Sequence, residues 1–281
     1  MSEYRICREQ LAVYEAHLLR EERSPGTIEN YLRHVRAFAV WLSGRPVTRE
    51  TAAAWKNALQ ESGYAPATIN SMLTAVNQFF RFAGWDPCRV RLLKIQRRLF
   101  REDSRELTRA EYDRLLAIAK AQGQERLALV METICATGIR VSEVRYITVD
   151  AARRGRAEIA LKGKIRVILL PGKLCRKLLQ YARKNQTASG EIFLTRSGKS
   201  LSRKQIWAEM KTLCLQAGVQ PSKVFPHNLR HLFARTFYHV CRDVARLADV
   251  LGHSSMETTR IYLISTGADH ARTLDRLGLV V

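Results

Sequence analysis

Acidic side chains are scarce in this 281-residue chain: 26 Asp and Glu stand against 47 Lys and Arg, a formal charge of +21. That balance excludes a self-solvating acidic chain and points to a polyanionic partner, nucleic acid first. The alternatives on charge alone are an inert basic surface or a membrane-surface protein. Long apolar runs are missing too. No segment approaches the ~18 apolar residues of a membrane span, and the start, MSEYRICREQ, holds no apolar stretch of signal type. No membrane partner is expected. The six cysteines, at 7, 88, 135, 175, 214 and 241, never fall at CxxC spacing. This speaks against a zinc site or a disulfide frame and for reduced, buried thiols in a cytosolic protein. Neither a DxD nor an HExxH signature occurs, nor any internal repeat or low-complexity segment, so no metal is expected.

What is present is globular. Hydrophobic residues make up 46%, enough for the cores of one large domain or two ordinary ones. Residues 1–88 read as helices joined by short turns. Leu11, Tyr14, Leu18 and Leu19 fall at helical spacing. Ser24 and Pro25 look like an N-cap and a first helical residue, ahead of a stripe of Ile28, Tyr31, Leu32, Val35, Phe38, Ala39 and Leu42. Thr48 caps a third helix that ends at Gly63, and Pro66 opens a fourth that Gly84 stops. The stripes are core. Arg33, Arg36 and Arg81 fall among polar positions and are read as a solvated face.

Residues 89–105 differ in composition. Arg89, Arg91, Lys94, Arg97, Arg98, Arg101 and Arg105 are opposed only by Glu102 and Asp103. The expectation is an inter-domain linker lying along a nucleic-acid backbone, with an ordinary solvated linker as the alternative. A second domain, 106–281, follows. Thr108 and Glu111 form a capping box, a buried helix runs from about 125 to 136, and Gly138 ends it. Residues 157–170 suggest a hairpin turning at Gly163, with Ile159 and Leu161, then Ile165, Val167 and Leu169, alternating and Lys162 and Lys164 beside the turn. Residues 190–201 suggest another short extended element, whose Arg196 and Lys199, with Arg203 and Lys204 beyond, suit phosphate contact. Helices are expected at about 202–217, 227–240 and 241–251. The fold class is mainly α with a small antiparallel sheet.

Four short motifs carry chemistry. TGIRVSE holds Arg140, FPHNLR holds His227 and Arg230 one helical turn apart, LGHSS holds His253, and TTRIYL holds Tyr262 nine residues later. Two arginines, two histidines and a tyrosine in this order suggest an attack on phosphate. Guanidinium forks match paired phosphate oxygens and stay charged. Histidines can act as donors or as a base, and a tyrosine can be the covalent nucleophile, given that a phenol of ordinary pKa near ~10 needs a base or a positive field. Glu143 is read as a salt-bridge partner that orients Arg140. His231 and His239 are read as structural, and Arg260 as a DNA or solvent contact.

Taken together, TGIRVSEV, the KGK hairpin, FPHNLRHLFA, LGHSS and TTRIYL resemble the tyrosine recombinases of the phage-integrase and Xer type, over nearly the whole length. RSPGTIENYLRHVRAFAVWL resembles that family's helical DNA-clamping domain. The resemblance implies a C-shaped clamp of a SAM-like helical domain and an α-rich catalytic domain. It implies that Tyr262 forms a 3′-phosphotyrosyl bond and releases a 5′-hydroxyl, that Arg140 and Arg230 clamp the scissile phosphate, and that His227 bonds the phosphate and takes the tyrosine proton. It further implies that His253 holds another non-bridging oxygen and that a hairpin lysine protonates the leaving oxygen. Lys162 fits that position when counted back from Arg166, with Lys164 as the fallback, because LKGKIRVILLP is tighter than the family pattern by about one residue. No cofactor is implied. The partners are a double-stranded recombination site and further copies of the chain, two per site and four in a synapse, in a bacterial cytoplasm at the nucleoid. The C-terminal segment, DHARTLDRLGLVV, is expected to form a helix that docks on a neighbouring subunit. Integration of a mobile element and chromosome-dimer resolution both fit. A type IB topoisomerase, a hairpin-forming resolvase and a non-catalytic DNA-binding regulator remain as alternatives.

Overall fold

In the computed structural model the chain divides into two compact units, Met1–Arg97 and Arg98–Val281. The structure describes residues 4–95, 105–161, 164–253, 255–260, 262 and 275–277, with the backbone alone at 160, 161, 164 and 165.

The first unit is built from α1 (Arg8–Arg20), α2 (Pro25–Leu42), α3 (Arg49–Glu61) and α4 (Pro66–Phe82). Local chemistry sets their ends. Ser24 accepts a hydrogen bond from the Thr27 amide ahead of Pro25, and Thr48 does the same for Thr51; each cap stabilises its helix by about 1 kcal/mol. Past α3 and α4 the chain turns through Gly63 and Gly84, both at positive φ. The apolar stripes converge on an aromatic core in which Phe38, Phe79 and Phe80 are fully buried. The Phe38 and Trp55 rings lie 4.9 Å apart between centroids, within the range of favourable ring pairs.

Residues 89–95, read above as the start of a linker, are fastened to this unit. Asn77 accepts from the Val90 amide at 3.1 Å and donates to the Val90 carbonyl at 2.8 Å. Asn70, two turns earlier on α4, treats Leu93 the same way at 2.8 and 2.9 Å. Each asparagine thereby takes the place of a neighbouring strand. Val90 and Leu93 pack against the core, while Arg89, Arg91 and Lys94 remain exposed.

The second unit contains α5 (Arg109–Ala121), α6 (Glu125–Thr137), α7 (Val149–Arg154), the hairpin β1 (Arg156–Leu161) and β2 (Lys164–Leu169), α8 (Gly172–Lys184), α9 (Arg203–Thr212), α10 (Cys214–Ala217), α11 (Pro226–Cys241), α12 (Val244–Leu251) and α13 (Met256–Arg260). Apolar on most of its surface, α6 is the central helix, packed by α5, α8, α9 and α11. The Thr108–Glu111 capping box is present at the start of α5. Residues 190–201 form no strand of a sheet. They make two isolated bridges, Thr148 to Glu191 and Leu194 to Ser200, around a turn at Gly198.

The hairpin corrects the alternation expected of its second strand. Its antiparallel register sets Ile159 opposite Arg166 and Ala157 opposite Ile168. Directly paired residues share a face. Ala157, Ile159, Arg166 and Ile168 therefore point inward, and Val167 and Leu169 are 52% and 75% exposed. An arginine occupies the inner face where the run RVILL invites an aliphatic residue.

All six cysteines are unpaired. Among the described residues no helix is long and apolar enough to cross a membrane.

Candidate active site

Arg230 is the centre of the second unit's cleft. The sequence places it one turn after His227 in α11, whose first residue is Pro226. Its side chain is 1% exposed, an extreme position for a permanent cation. It donates through Nη1 to the Gly138 carbonyl and through Nη2 to the Leu251 carbonyl at 2.9 Å. Both acceptors are carbonyls at helix ends, where the helix dipole is negative. Two glycines make those ends possible. Gly138 and Gly252 close α6 and α12 at φ 65° and 63°, and a Cβ at Gly138 would overlap the Phe233 ring. Burial lowers the Arg230 pKa, with Arg140 adding to it and the neighbouring Tyr262 acting against it; a guanidinium remains charged regardless.

His253 follows the Gly252 turn. Its Nε2 lies 2.9 Å from Arg230 Nη2, and its Nδ1 lies 2.8 Å from Thr259 Oγ1 in α13. Arginine can only donate, so Nε2 accepts and the ring proton sits on Nδ1, donated to Thr259. Burial, followed by the fields of Arg230, Arg140, Arg166 and His227, lowers its pKa from 6.5 to about 4. His227 is lowered in the same sense, again by burial first and then by Arg230 and Arg140. Both rings are neutral at pH 7.

Tyr262 is buried just beyond α13, its amide bonded to the Thr259 carbonyl at 3.0 Å. Its ring packs beside Ala234, Leu247 and Leu251. Three imidazoles surround it: His231 edge-on at 4.6 Å, His253 stacked at 5.8 Å and His227 at 6.2 Å between centroids. Arg140, after Gly138 at the head of the 3-10 turn Val141–Tyr146, pairs with Glu143 at 3.0 Å. The expected orienting salt bridge is therefore present, on a 3-10 turn and not an α-helix.

Arg140, His227, Arg230, His253 and Tyr262 line one cleft of about 770 Å³, together with Arg203, Lys204 and Trp207 from α9. Of the other sequence candidates, Lys162, Arg97, Arg98 and Arg101 lie outside the described residues, as does most of the C-terminal segment, and Lys164 is described only as the backbone partner of Leu161. Arg196 and Lys199 sit in an exposed loop and are not among the cleft residues. Arg89, Arg91 and Lys94 are on the first unit. Among the described residues no cluster of His, Cys, Asp or Glu offers a metal site. Nothing in the sequence pointed to Thr259 against His253 or to Arg166 against Glu143, and His231, read as structural, packs against Tyr262.

Two results are expected from the histidine geometry. Thr259→Val removes the acceptor that holds the His253 proton on Nδ1; a lost hydrogen bond of about 1.4 kcal/mol corresponds to about tenfold in the tautomer ratio. Nitrogen NMR of the His253 ring should then show mixed tautomers, and an unchanged Nδ1–H ring would contradict the assignment. The second concerns pH. Above about 6.5 His253 is neutral in both folded and unfolded chains. Between about 6.5 and about 4 the unfolded chain takes up a proton that the folded chain refuses, so acidification through that window destabilises the fold. His253→Asn should flatten the fall in melting temperature there, and an unchanged slope would contradict the depressed value.

Residues 105–268 match the phage integrase family, and residues 11–86 match the phage integrase N-terminal SAM-like domain. The chain is 30% identical over 273 residues to tyrosine recombinase XerA of Thermococcus kodakarensis, covering 94% of this chain and 93% of the relative. It is 31% identical over 282 residues to tyrosine recombinase XerC of Roseiflexus castenholzii, covering 90% and 88%. Among solved structures, a Tn1549 transposon integrase in complex with transposon right-end DNA superposes with a TM-score of 0.74 at 18% identity, covering 96% of this chain and 98% of that one. A lambda integrase dimer bound to a COC′ core site gives 0.73 at 19% identity, covering 91% and 94%. With both of its units matched by family models and relatives at 30% and 31% identity along most of its length, the chain belongs to the phage integrase family of tyrosine recombinases, enzymes that cut and rejoin DNA at specific sites.

Proposed function

We propose that this recombinase cuts DNA through a covalent bond to Tyr262 and exchanges strands through a Holliday junction. The observation that carries the reading is one cleft lined by a buried tyrosine, a buried arginine, a second arginine and two neutral histidines. In the step proposed, the Tyr262 oxygen attacks a backbone phosphorus, the P–O bond to Tyr262 forms and the bond to the 5′-oxygen breaks. The phenol proton passes to His227, whose lowered pKa keeps it free to accept. His231, edge-on at 4.6 Å to both the His227 and Tyr262 rings, holds the two in register. Arg140 and Arg230 carry the charge that develops on the non-bridging oxygens. His253 contacts one of those oxygens once a proton sits on Nε2, which the arriving phosphate favours by raising the ring's pKa. The departing 5′-oxygen takes a proton from Lys162, with Lys164 as the alternative donor. A 5′-hydroxyl from the partner duplex then reverses the step and releases Tyr262. No cofactor enters.

The assembly is inferred from relatives. Lambda integrase is seen as a dimer on a core site and as a tetramer on a Holliday junction, and we extend both states to this chain, acting in a cytoplasm at the nucleoid. The exposed Arg89, Arg91 and Lys94, the basic residues Arg97, Arg98 and Arg101 beyond them, and Arg196, Lys199 and Arg203 in the second unit would meet DNA phosphates. Neutralising Arg97, Arg98 and Arg101 together should lower the slope of log affinity against log salt by about 3, at ~0.9 per phosphate contact. An unchanged slope would remove them from the interface.

The test of the function is strand exchange between two duplexes carrying the cognate site. Recombinant products with a transient four-way junction are expected, and a supercoiled plasmid lacking the site should stay supercoiled. Relaxation of that plasmid without recombinants would assign a topoisomerase instead.

A further inference from the structure

Arg166 is an inward-facing charge that the hairpin register places on β2. Its side chain is 13% exposed and reaches two segments that are far away in sequence. Nη1 lies 3.3 Å from both Glu143 oxygens, and Nη2 donates to the Val250 carbonyl at 2.8 Å. Its aliphatic end crosses Gly252 so closely that a Cβ there would overlap Arg166 Cδ. Glu143, 2% exposed, is shared: it also holds the Arg140 guanidinium at 3.0 Å and accepts from the Arg140 amide at 2.7 Å. One side chain thus joins the strand of the hairpin, the turn carrying Arg140 and the turn carrying His253.

We infer that Arg166 is a positioning residue for phosphoryl transfer, fixing through the Glu143 carboxylate the direction in which Arg140 meets the scissile phosphate. The inference rests on the reading of Arg140 given above. Glu143 alone could swing with Arg140, since its neighbours in the 3-10 turn move with it. Arg166 ties the carboxylate to a strand and to the end of α12, neither of which belongs to that turn. The charges support this. Burial is the main cause that brings the Arg166 pKa down to about 10, with Arg230 and Arg140 adding to it and Glu143 opposing it. Its Nε is buried without a hydrogen-bond partner among the described residues. Holding a third guanidinium beside two others is unfavourable for the empty protein, and the arrangement leaves one carboxylate among three cations, an excess of positive charge where a phosphate would sit.

The test uses the full chain and a nicked suicide substrate, reading single-turnover adduct formation and DNA affinity. Two substrates are compared: the natural phosphodiester, and one with a methyl in place of a non-bridging oxygen, whose neutral phosphorus centre asks less of an arginine. Arg166→Met is expected to slow cleavage of the phosphodiester about 100-fold, as for loss of one preorganised donor, with DNA affinity within about threefold. On the methylphosphonate the deficit should shrink about tenfold, and Arg140→Ala, run in parallel, should show the same relief. An equal deficit of Arg166→Met on both substrates would make Arg166 a fold support only, and no deficit would overturn the inference outright. If Arg140→Ala shows no relief, the reading of Arg140 falls and the inference with it. Should Arg166→Met fail to fold by circular dichroism, Arg166→Lys decides. It keeps the charge but cannot bond Glu143 and Val250 together, and the same two substrates sort its outcomes.

Discussion

Replacing Arg230 by lysine is expected to slow strand cleavage roughly 10²- to 10³-fold and to lower folding stability as well. The guanidinium reaches Gly138, Leu251 and His253 at once from a site that is 1% exposed. An ammonium group has three donors on one atom and cannot span those positions. At least one helix-end carbonyl would lose its donor, at a cost of about 1–3 kcal/mol, and the paired contacts available to a phosphate would be lost. Single-turnover cleavage and urea unfolding measure the two effects. A rate change below about tenfold, with stability lowered, would reduce Arg230 to a structural role.

Tyr262→Phe is the second large effect. The phenylalanine ring fits the same packing beside His231 and His253, so stability should shift by no more than about 1.5 kcal/mol, the scale of one hydrogen bond. DNA affinity should stay within about threefold. Adduct formation should vanish, because the nucleophilic oxygen is gone and no neighbouring hydroxyl replaces its geometry. The alternative among the described cleft residues is Ser142 or Thr258; residual adduct in the phenylalanine variant would point to one of them.

Much of the fold was legible before the structure because it is written locally. Ser24–Pro25, Thr48, Thr108–Glu111 and Gly138 mark helix ends by short-range hydrogen bonds or by φ alone. The five cleft residues were legible because the motifs keep each residue type beside its own turn. Other features depend on long-range packing. Asn70 and Asn77 lie on a helix face that reads as solvated, yet they clamp residues 23 and 13 positions away. The inward face of β2 was hidden by RVILL, where four apolar residues in a row give no period and only pairing with β1 fixes the phase. Arg166 meets partners 23 and 84 residues distant. His231 looked structural because its motif neighbour Arg230 took the chemical role, and its contact with Tyr262 exists only once α11 and α13 are packed.

The most direct test is to find the atom that becomes attached to DNA. The protein would be incubated in chelator with a nicked suicide substrate labelled upstream of the cut, then digested with trypsin and read by mass spectrometry. Cleavage after Arg260 and Arg272 releases a peptide, IYLISTGADHAR, in which Tyr262 is the only tyrosine. That peptide is expected to carry a nucleotide joined to the Tyr262 oxygen through its 3′-phosphate. A nucleotide on any other residue, or attachment through the 5′-phosphate, would contradict this mechanism.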